Sequence, residues 1–348
     1  MTITIIGHFG GTKQFNDGQT VKTLSVYNAL FSAGIKIYKV DTYYVKHNPI
    51  YFLWQLFISL FKSKKYIVLL SSNGRKILFP VLYFFSKILQ KQIYHYAIGG
   101  RLADEVMQKP NFKRYVKSFE NNWIESKIIV ENLKKQQINN VVYVPNFKNI
   151  KPLSIDKLSN NLHKPIKFCT FSRVMKEKGI VDAIEALEEI NLSKGIQMAI
   201  LDIYGPIDSS FKYIFEELLK KHNSFCQYKG IIPSDNSIET LKEYDALLFP
   251  TYWKGEGFPG TIIDALCAGL PVIARKWKYC EEILTHLKTG LIYDFDKPEK
   301  LIECIQYVID NSQQICDMKK NCIQEAEKYT ANTCVPIILK KLQMKNKD

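Results

Sequence analysis

The chain has 348 residues, 46% of them hydrophobic and 13% aromatic; this excludes a disordered chain and exceeds one ordinary core, so two domains of about 150 residues each are expected. The net charge of +14 lies wholly in residues 1–150, which hold 21 Lys and Arg against 7 Asp and Glu, while residues 151–348 hold 27 of each sign. All eight cysteines fall at or after Cys169 without a CxxC pair or zinc-ligand spacing, which excludes a zinc module and leaves buried thiols in a reducing compartment as the expectation.

Ile3–Gly7 reads as a strand, and the residues before it carry no basic region ahead of a long apolar core, so no signal peptide is expected. Thr20–Ala33 has apolar residues at helical spacing, Ile35–Val40 follows as a strand, and the apolar run Tyr51–Phe61 is too short to span a bilayer, which needs about 20 residues. Ile67–Ser71 is a third strand, followed by a helix near Lys76–Leu89; the stretch from Tyr66 to Leu89 is interrupted by Arg75, Lys76, Pro80 and Lys87, so no transmembrane helix is expected. Gln92–Ile98, Lys127–Val130 and Val141–Val144 complete the strands of the first half, and Asn149–Lys164 reads as a linker. The alternation restarts with strands at Ile166–Phe171, Gln197–Tyr204, Cys226–Lys229, Ala246–Phe249, Pro271–Ala274 and Leu291–Tyr293, and a long helical stretch from Gln313 to Leu342 closes the pattern. Strands alternating with helices predict an α/β fold of two doubly wound, Rossmann-like domains facing a cleft, with ligands at the carboxyl ends of the strands. The expected divisions are 1–160, 161–325 and a C-terminal helix, 326–348, crossing back to the first domain.

The segment Gly255 to Ala274 is the most informative. Gly257 and Gly260 allow close backbone approach, and the helix that follows offers free N–H groups to an anion. Glu256 and Asp264, eight positions apart, suit sugar or ribose hydroxyls because a carboxylate accepts several hydrogen bonds; solvated acids on a capped helix are the other reading. Thr170–Gly179 places Arg173 and Lys178 five residues apart at a strand end, where two cations can clamp a diphosphate; a solvated surface is the alternative.

Together these runs resemble the retaining GT-B glycosyltransferases, glycosyltransferase family 4, with Glu256 and Asp264 on the E-x7-E signature and Arg173 and Lys178 on the G-R-x-x-x-x-K-G element. Asp264 is shorter than the usual glutamate, Pro259 is unusual, and Ser172 stands where a glycine is frequent. Leu201–Gly205, Tyr228–Gly230 and Tyr244–Thr251 extend the resemblance over about residues 165–335. The resemblance implies a donor site of Gly10, Gly11, Arg173, Lys178, Gly205, Gly230, Glu256, Gly257, Phe258, Pro259, Gly260, Thr261 and Asp264, with Glu256, Arg173 and Lys178 catalytic: the first acid on the donor sugar, the second on the ribose, the cations on the diphosphate. Gly10 and Gly11 have a plain tight turn as their other reading.

The first half matches less. Phe15–Thr23 looks like polysaccharide-assembly members of the family; Asn122–Trp123 to Pro145–Asn146 also resembles it, although Glu131 replaces a common serine. Gln19, His95, Gly99 and Gly100 are acceptor-side candidates; His95 precedes the family's usual histidine position, and a core role is its other reading. No general base is identifiable, as suits a mechanism in which the leaving diphosphate takes the acceptor proton. Asp294-Phe295-Asp296 resembles a metal-binding D-x-D, but a turn before Lys297-Pro298 is the better reading. The implied protein is a retaining hexosyltransferase without metal or cofactor, using a UDP- or GDP-sugar and a glycan or lipid-linked acceptor in surface polysaccharide synthesis. Its basic half would bring it, from the cytoplasm, to the anionic inner face of the membrane. A sugar-nucleotide epimerase of the same fold would need a set of acids and histidines that is not recognisable in the first half; a degenerate homologue or basic nucleic-acid binder is disfavoured by the near-intact donor motifs and by the absence of any nucleic-acid motif.

Overall fold

The computed structural model describes residues 2–12 and 17–343; Phe15 and Asn16, within the stretch singled out above, lie outside them. The described residues form two compact units: one from Met1–Asn149, Gly257–Pro259 and Tyr329–Asp348, the other from Ile150–Glu256 and Gly260–Lys328.

The first unit is built on a six-stranded sheet of β1 (Thr2–Gly7), β2 (Lys36–Asp41), β3 (Lys65–Leu70), β4 (Gln92–Ala97), β5 (Asn121–Ile124) and β6 (Val141–Tyr143) in the order β2-β1-β3-β4-β5-β6. Every pairing is parallel. Helices cover both faces of such a sheet, so its central strands carry near-continuous apolar runs: β3 is buried along its whole length. Ile3, Ile67, Tyr94 and Trp123 pack in one cluster with Val335, Ile338 and Leu342 of the helix Ala331–Gln343.

The second unit repeats the plan with β7 (Ile166–Phe171), β8 (Ala199–Tyr204), β9 (Cys226–Gly230), β10 (Ala246–Phe249), β11 (Val272–Arg275) and β12 (Gly290–Tyr293), ordered β12-β11-β10-β7-β8-β9 and again all parallel. Phe168, Leu201 and Leu248 form its core with Ile184, Leu187, Ile305 and Val308 from flanking helices. The eight cysteines are unpaired thiols, seven of them buried. No helix of the described residues is long and apolar enough to cross a membrane.

Three expectations need correction. Lys127–Val130 is not a strand. It opens the helix Lys127–Lys135, because Ser126 Oγ caps it by accepting from the Ile129 amide at 3.2 Å and because Ile129, Val130 and Leu133 bury one helical face; the strand is Asn121–Ile124. The stretch from Gln313 to Leu342 is broken: Ser312–Ala326 ends in a 3-10 turn at Glu327–Tyr329, and a separate helix starts at Ala331. The chain passes between units at Asn149/Ile150, so the segment read as a linker belongs, from Ile150 on, to the second unit.

Candidate functional site

In the second unit, adjacent parallel strands end side by side, and the motif residues sit on those ends. Arg173 follows β7 and is exposed; its guanidinium has no hydrogen bond or ion pair among the described residues. The chain then makes a 3-10 turn, Lys176–Lys178, closed by Gly179 at φ +71°, where a Cβ would lie 2.3 Å from the Pro250 carbonyl oxygen. Only glycine fits there, and this close approach sets Lys178 beside the end of β10, its Nζ 5.5 Å from the Phe249 ring centre.

Lys178 Nζ is ion-paired with Glu256 Oε2, both side chains being only 15% and 10% exposed. Thr251 Oγ1 lies 3.2 Å from the same carboxylate oxygen. The Tyr252 amide donates to the Glu177 carbonyl at 2.9 Å, which ties this loop to the 3-10 turn. The sequence brought Lys178 and Glu256 to one site from 78 residues apart, and the structure joins them directly. It also supplies Thr251, which the motif comparison quoted but gave no role.

Gly205 (φ +130°) follows β8 with no room for a side chain: a Cβ would lie 1.9 Å from the Ser172 carbonyl oxygen. Its amide donates to the Gly230 carbonyl at 2.9 Å, so it is engaged within the sheet. Gly230 (φ +82°) has open space around it. Gly260 and Thr261 begin the helix Gly260–Cys267, and the Thr261 hydroxyl donates to the Phe171 carbonyl at 2.8 Å. Asp264, on the same helix, is buried. Gly257, Phe258 and Pro259 belong to the first unit, where Phe258 is buried with its ring edge-to-face on Tyr329 and a Cβ at Gly257 would lie 2.9 Å from the Gly100 amide nitrogen.

The first unit's candidates fare differently. The amides of Phe9, Gly11 and Tyr43 all donate to the buried Asp41 carboxylate at 2.8–2.9 Å, so the Gly10–Gly11 segment is a locked turn and the Gly11 amide is not open to a ligand. Gln19 sits in the first turn of the helix Gly18–Ser32, its amide held by the Asp17 cap at 3.0 Å. His95 must be reassigned from an acceptor-side residue to the core. It is fully buried on β4, edge-on to Phe79, with Nδ1 3.2 Å from Asn122 Oδ1; burial holds its pKa down at about 3. The Asn122 amide donates to the Val116 and Asn140 carbonyls, which assigns the Nδ1 proton to the histidine. Asp294–Lys297 is an exposed turn, with the Lys297 amide donating to the Asp294 carbonyl at 3.2 Å.

In the first unit, two buried ion pairs escaped the sequence reading. Lys22 Nζ meets Glu125 and donates to Asn146 Oδ1 at 2.9 Å, 3.9 Å from the Tyr96 ring centre; desolvation lowers the lysine pKa and raises that of the glutamate. Arg75 is fully buried, donating to Glu105 at 2.9 Å and to the carbonyls of Leu70 and Ile98 at 2.9 and 3.1 Å. Partners 103 and 30 residues apart leave no local pattern to find.

The sequence profile described as glycosyl transferases group 1 matches residues 154–329, half of the chain. The chain belongs to this family. An uncharacterised glycosyltransferase of Methanocaldococcus jannaschii is 25% identical over 66% of this chain and 54% of its own length. The N,N'-diacetylbacillosaminyl-diphospho-undecaprenol alpha-1,3-N-acetylgalactosaminyltransferase of Campylobacter jejuni is 25% identical over 30% of this chain and 27% of its own. The matched regions thus span about half or less of these curated relatives. Among solved structures, HepE of Anabaena in complex with UDP superposes with a TM-score of 0.72 at 14% identity, over 99% of this chain and all of that one, a likeness of fold.

Proposed function

We propose that the protein is a retaining, metal-independent glycosyltransferase that takes a glycosyl group from a UDP- or GDP-sugar and passes it to a glycan or lipid-linked acceptor in bacterial surface polysaccharide assembly. The observation that carries this reading is the Lys178–Glu256 pair, braced by Thr251, at strand ends where the Arg173 guanidinium stands free of hydrogen bonds and ion pairs among the described residues. Lys178 and Arg173 would neutralise the charge that develops on the diphosphate as its bond to the sugar C1 breaks, and Glu256 would accept from a donor-sugar hydroxyl. The new bond forms on the face the diphosphate leaves, and the diphosphate oxygen takes the acceptor proton. The Campylobacter relative's lipid-linked substrate supports the acceptor class.

The exposed side of the helix Pro49–Lys62 supports attachment at the membrane's inner face: Leu53, Trp54, Phe57 and Phe61 are all exposed, next to exposed Lys62 and Lys64. Lys65 takes no part, being buried on β3 with its ammonium on the Leu342 carbonyl.

A thermal-shift panel of UDP, GDP, dTDP and their sugars, run in EDTA, tests the donor reading. A ligand present at 100 times its dissociation constant stabilises by about 2.7 kcal/mol. No shift with any of them would reject it.

A further inference from the structure

We infer that the Trp253 indole is the face on which the donor's glycosyl ring stacks, a placement that rests on the sugar-nucleotide reading of the Glu256 site. Trp253 lies on the loop joining β10 to the helix Gly260–Cys267 and is 46% exposed. The unit's other tryptophan, Trp277, is buried edge-to-face on Phe249. An indole offers a large flat apolar face to a ligand, and this one is carried on the same loop as Glu256.

The loop fixes this indole. The Trp253 amide donates to Thr251 Oγ1 at 3.3 Å, and the Glu256 amide donates to the Trp253 carbonyl at 3.1 Å. Thr251 Oγ1 also lies 3.2 Å from the Glu256 carboxylate, so one hydroxyl holds both the backbone that carries the indole and the acid three residues later. Gly255 completes the seat. Its backbone is not in the left-handed region, yet a Cβ there would lie 2.7 Å from Trp253 Nε1 and 3.2 Å from Cε2. A side chain at position 255 would therefore have to displace the ring. Among the described residues the Nε1–H has no hydrogen-bond partner.

A hexose is matched by this combination. Its C–H-rich face packs on an aromatic ring, and the hydroxyls around its rim need a carboxylate acceptor and an N–H donor. A nucleoside diphosphate without the sugar lacks that ring; were the base the group stacked on the indole, the diphosphate and the sugar nucleotide would lose affinity equally without it. Trp253 therefore sets the preference for the sugar nucleotide over the bare diphosphate.

Calorimetry on the full chain reads this as the ratio of the dissociation constants of UDP and UDP-glucose, or of GDP and GDP-mannose where the guanine pair binds. Trp253→Ala should weaken sugar-nucleotide binding about two- to tenfold and leave the diphosphate unchanged. Trp253→Phe should keep most of the preference, and Gly255→Ala, which displaces the ring, should lose it. An unchanged melting temperature in Trp253→Ala excludes misfolding as the cause. A ratio that Trp253→Ala does not alter, or equal losses for both ligands, overturns the stacking role and leaves the sugar-nucleotide reading standing. A wild-type protein that binds none of the four ligands overturns both.

Discussion

The two units share a plan of six parallel strands yet differ in the charged groups of the loops and helices that follow those strands. In the first unit those groups are taken up internally: Asp41 by three loop amides, Lys22 by Glu125 and Asn146, Arg75 by Glu105 and two carbonyls. In the second, Arg275 at the end of β11 is likewise buried against Asp182 at 3.2 Å, but Arg173 is exposed, Gly230 has open space, and Lys178 and Glu256 hold each other only part-buried. Buried, saturated charges hold a fold in one arrangement. Accessible charges held by a braced loop can exchange a protein partner for a ligand. The difference teaches that charge at a strand end is not itself a functional signal; what matters is whether its hydrogen-bonding capacity is already filled.

The comparison can be broken most directly at Glu125. Glu125→Leu strands the Lys22 ammonium in the first unit's interior and should cost about 3–5 kcal/mol in denaturant unfolding, with much of the loss recovered when Lys22→Met is added. A cost under about 1 kcal/mol would show that the pair does not hold the fold. Glu256→Ala should do the reverse, lowering turnover about 10²–10³-fold with far less effect on stability; near wild-type transfer would remove Glu256 from the chemistry. Arg173→Ala should weaken a nucleoside diphosphate by about 1.5–3 kcal/mol, the range for hydrogen bonds to charged groups, and hardly affect the nucleoside. Equal losses for the two ligands would refute a phosphate contact.

His95 sharpens the comparison through pH. Its pKa is held at about 3 in the fold, below the ordinary histidine value of 6.5. Unfolding therefore takes up a proton at any pH between these values. The stability that neutral His95 contributes is whole above pH 6.5 and declines as pH falls toward 3, by about 2 kcal/mol at pH 5. Unfolding curves of His95→Gln should be flatter between pH 7 and 5 than those of the wild type; parallel curves would place the histidine's titration elsewhere. The smallest effect is expected at the surface of the first unit. Lys62→Glu with Lys64→Glu should reduce sedimentation with anionic vesicles by about 1 kcal/mol for each cation removed. Binding indifferent to lipid charge would argue against the membrane-facing role of the helix Pro49–Lys62.

Much of this was legible in sequence where local pattern and local structure coincide. The strands of the second unit fall within about two residues of their apolar runs, and the Arg173, Lys178 and Glu256 motifs land on strand ends, because each is a short contiguous signal. The Lys127–Val130 error shows the limit: a run of four apolar or long-stemmed residues fits a strand or a buried helix turn, and Ser126 decides through a cap that periodicity does not register. The Lys22–Glu125 pair and the Asp41 clamp were invisible because their partners are distant along the chain. Neither the exposure of Trp253 nor the place of its ring over Gly255 is legible in sequence, since both are properties of the folded loop.

The helix Ala331–Gln343 gives the chain an order of completion. Val335, Ile338 and Leu342 fill the same cluster as Ile3 and Ile5, and the Lys65 ammonium sits on the Leu342 carbonyl, 277 residues further on. The half of the protein that leaves the ribosome first is therefore closed last. Until residue 343 has emerged, the β1–β6 sheet has an uncovered apolar flank, whereas the buried residues of the second unit, all before residue 329, are already outside. The usual sequence in which the leading domain folds first is inverted. Any nick or truncation after Lys328 would be felt as an unfinished core at the opposite end of the polypeptide, not as loss of a surface tail.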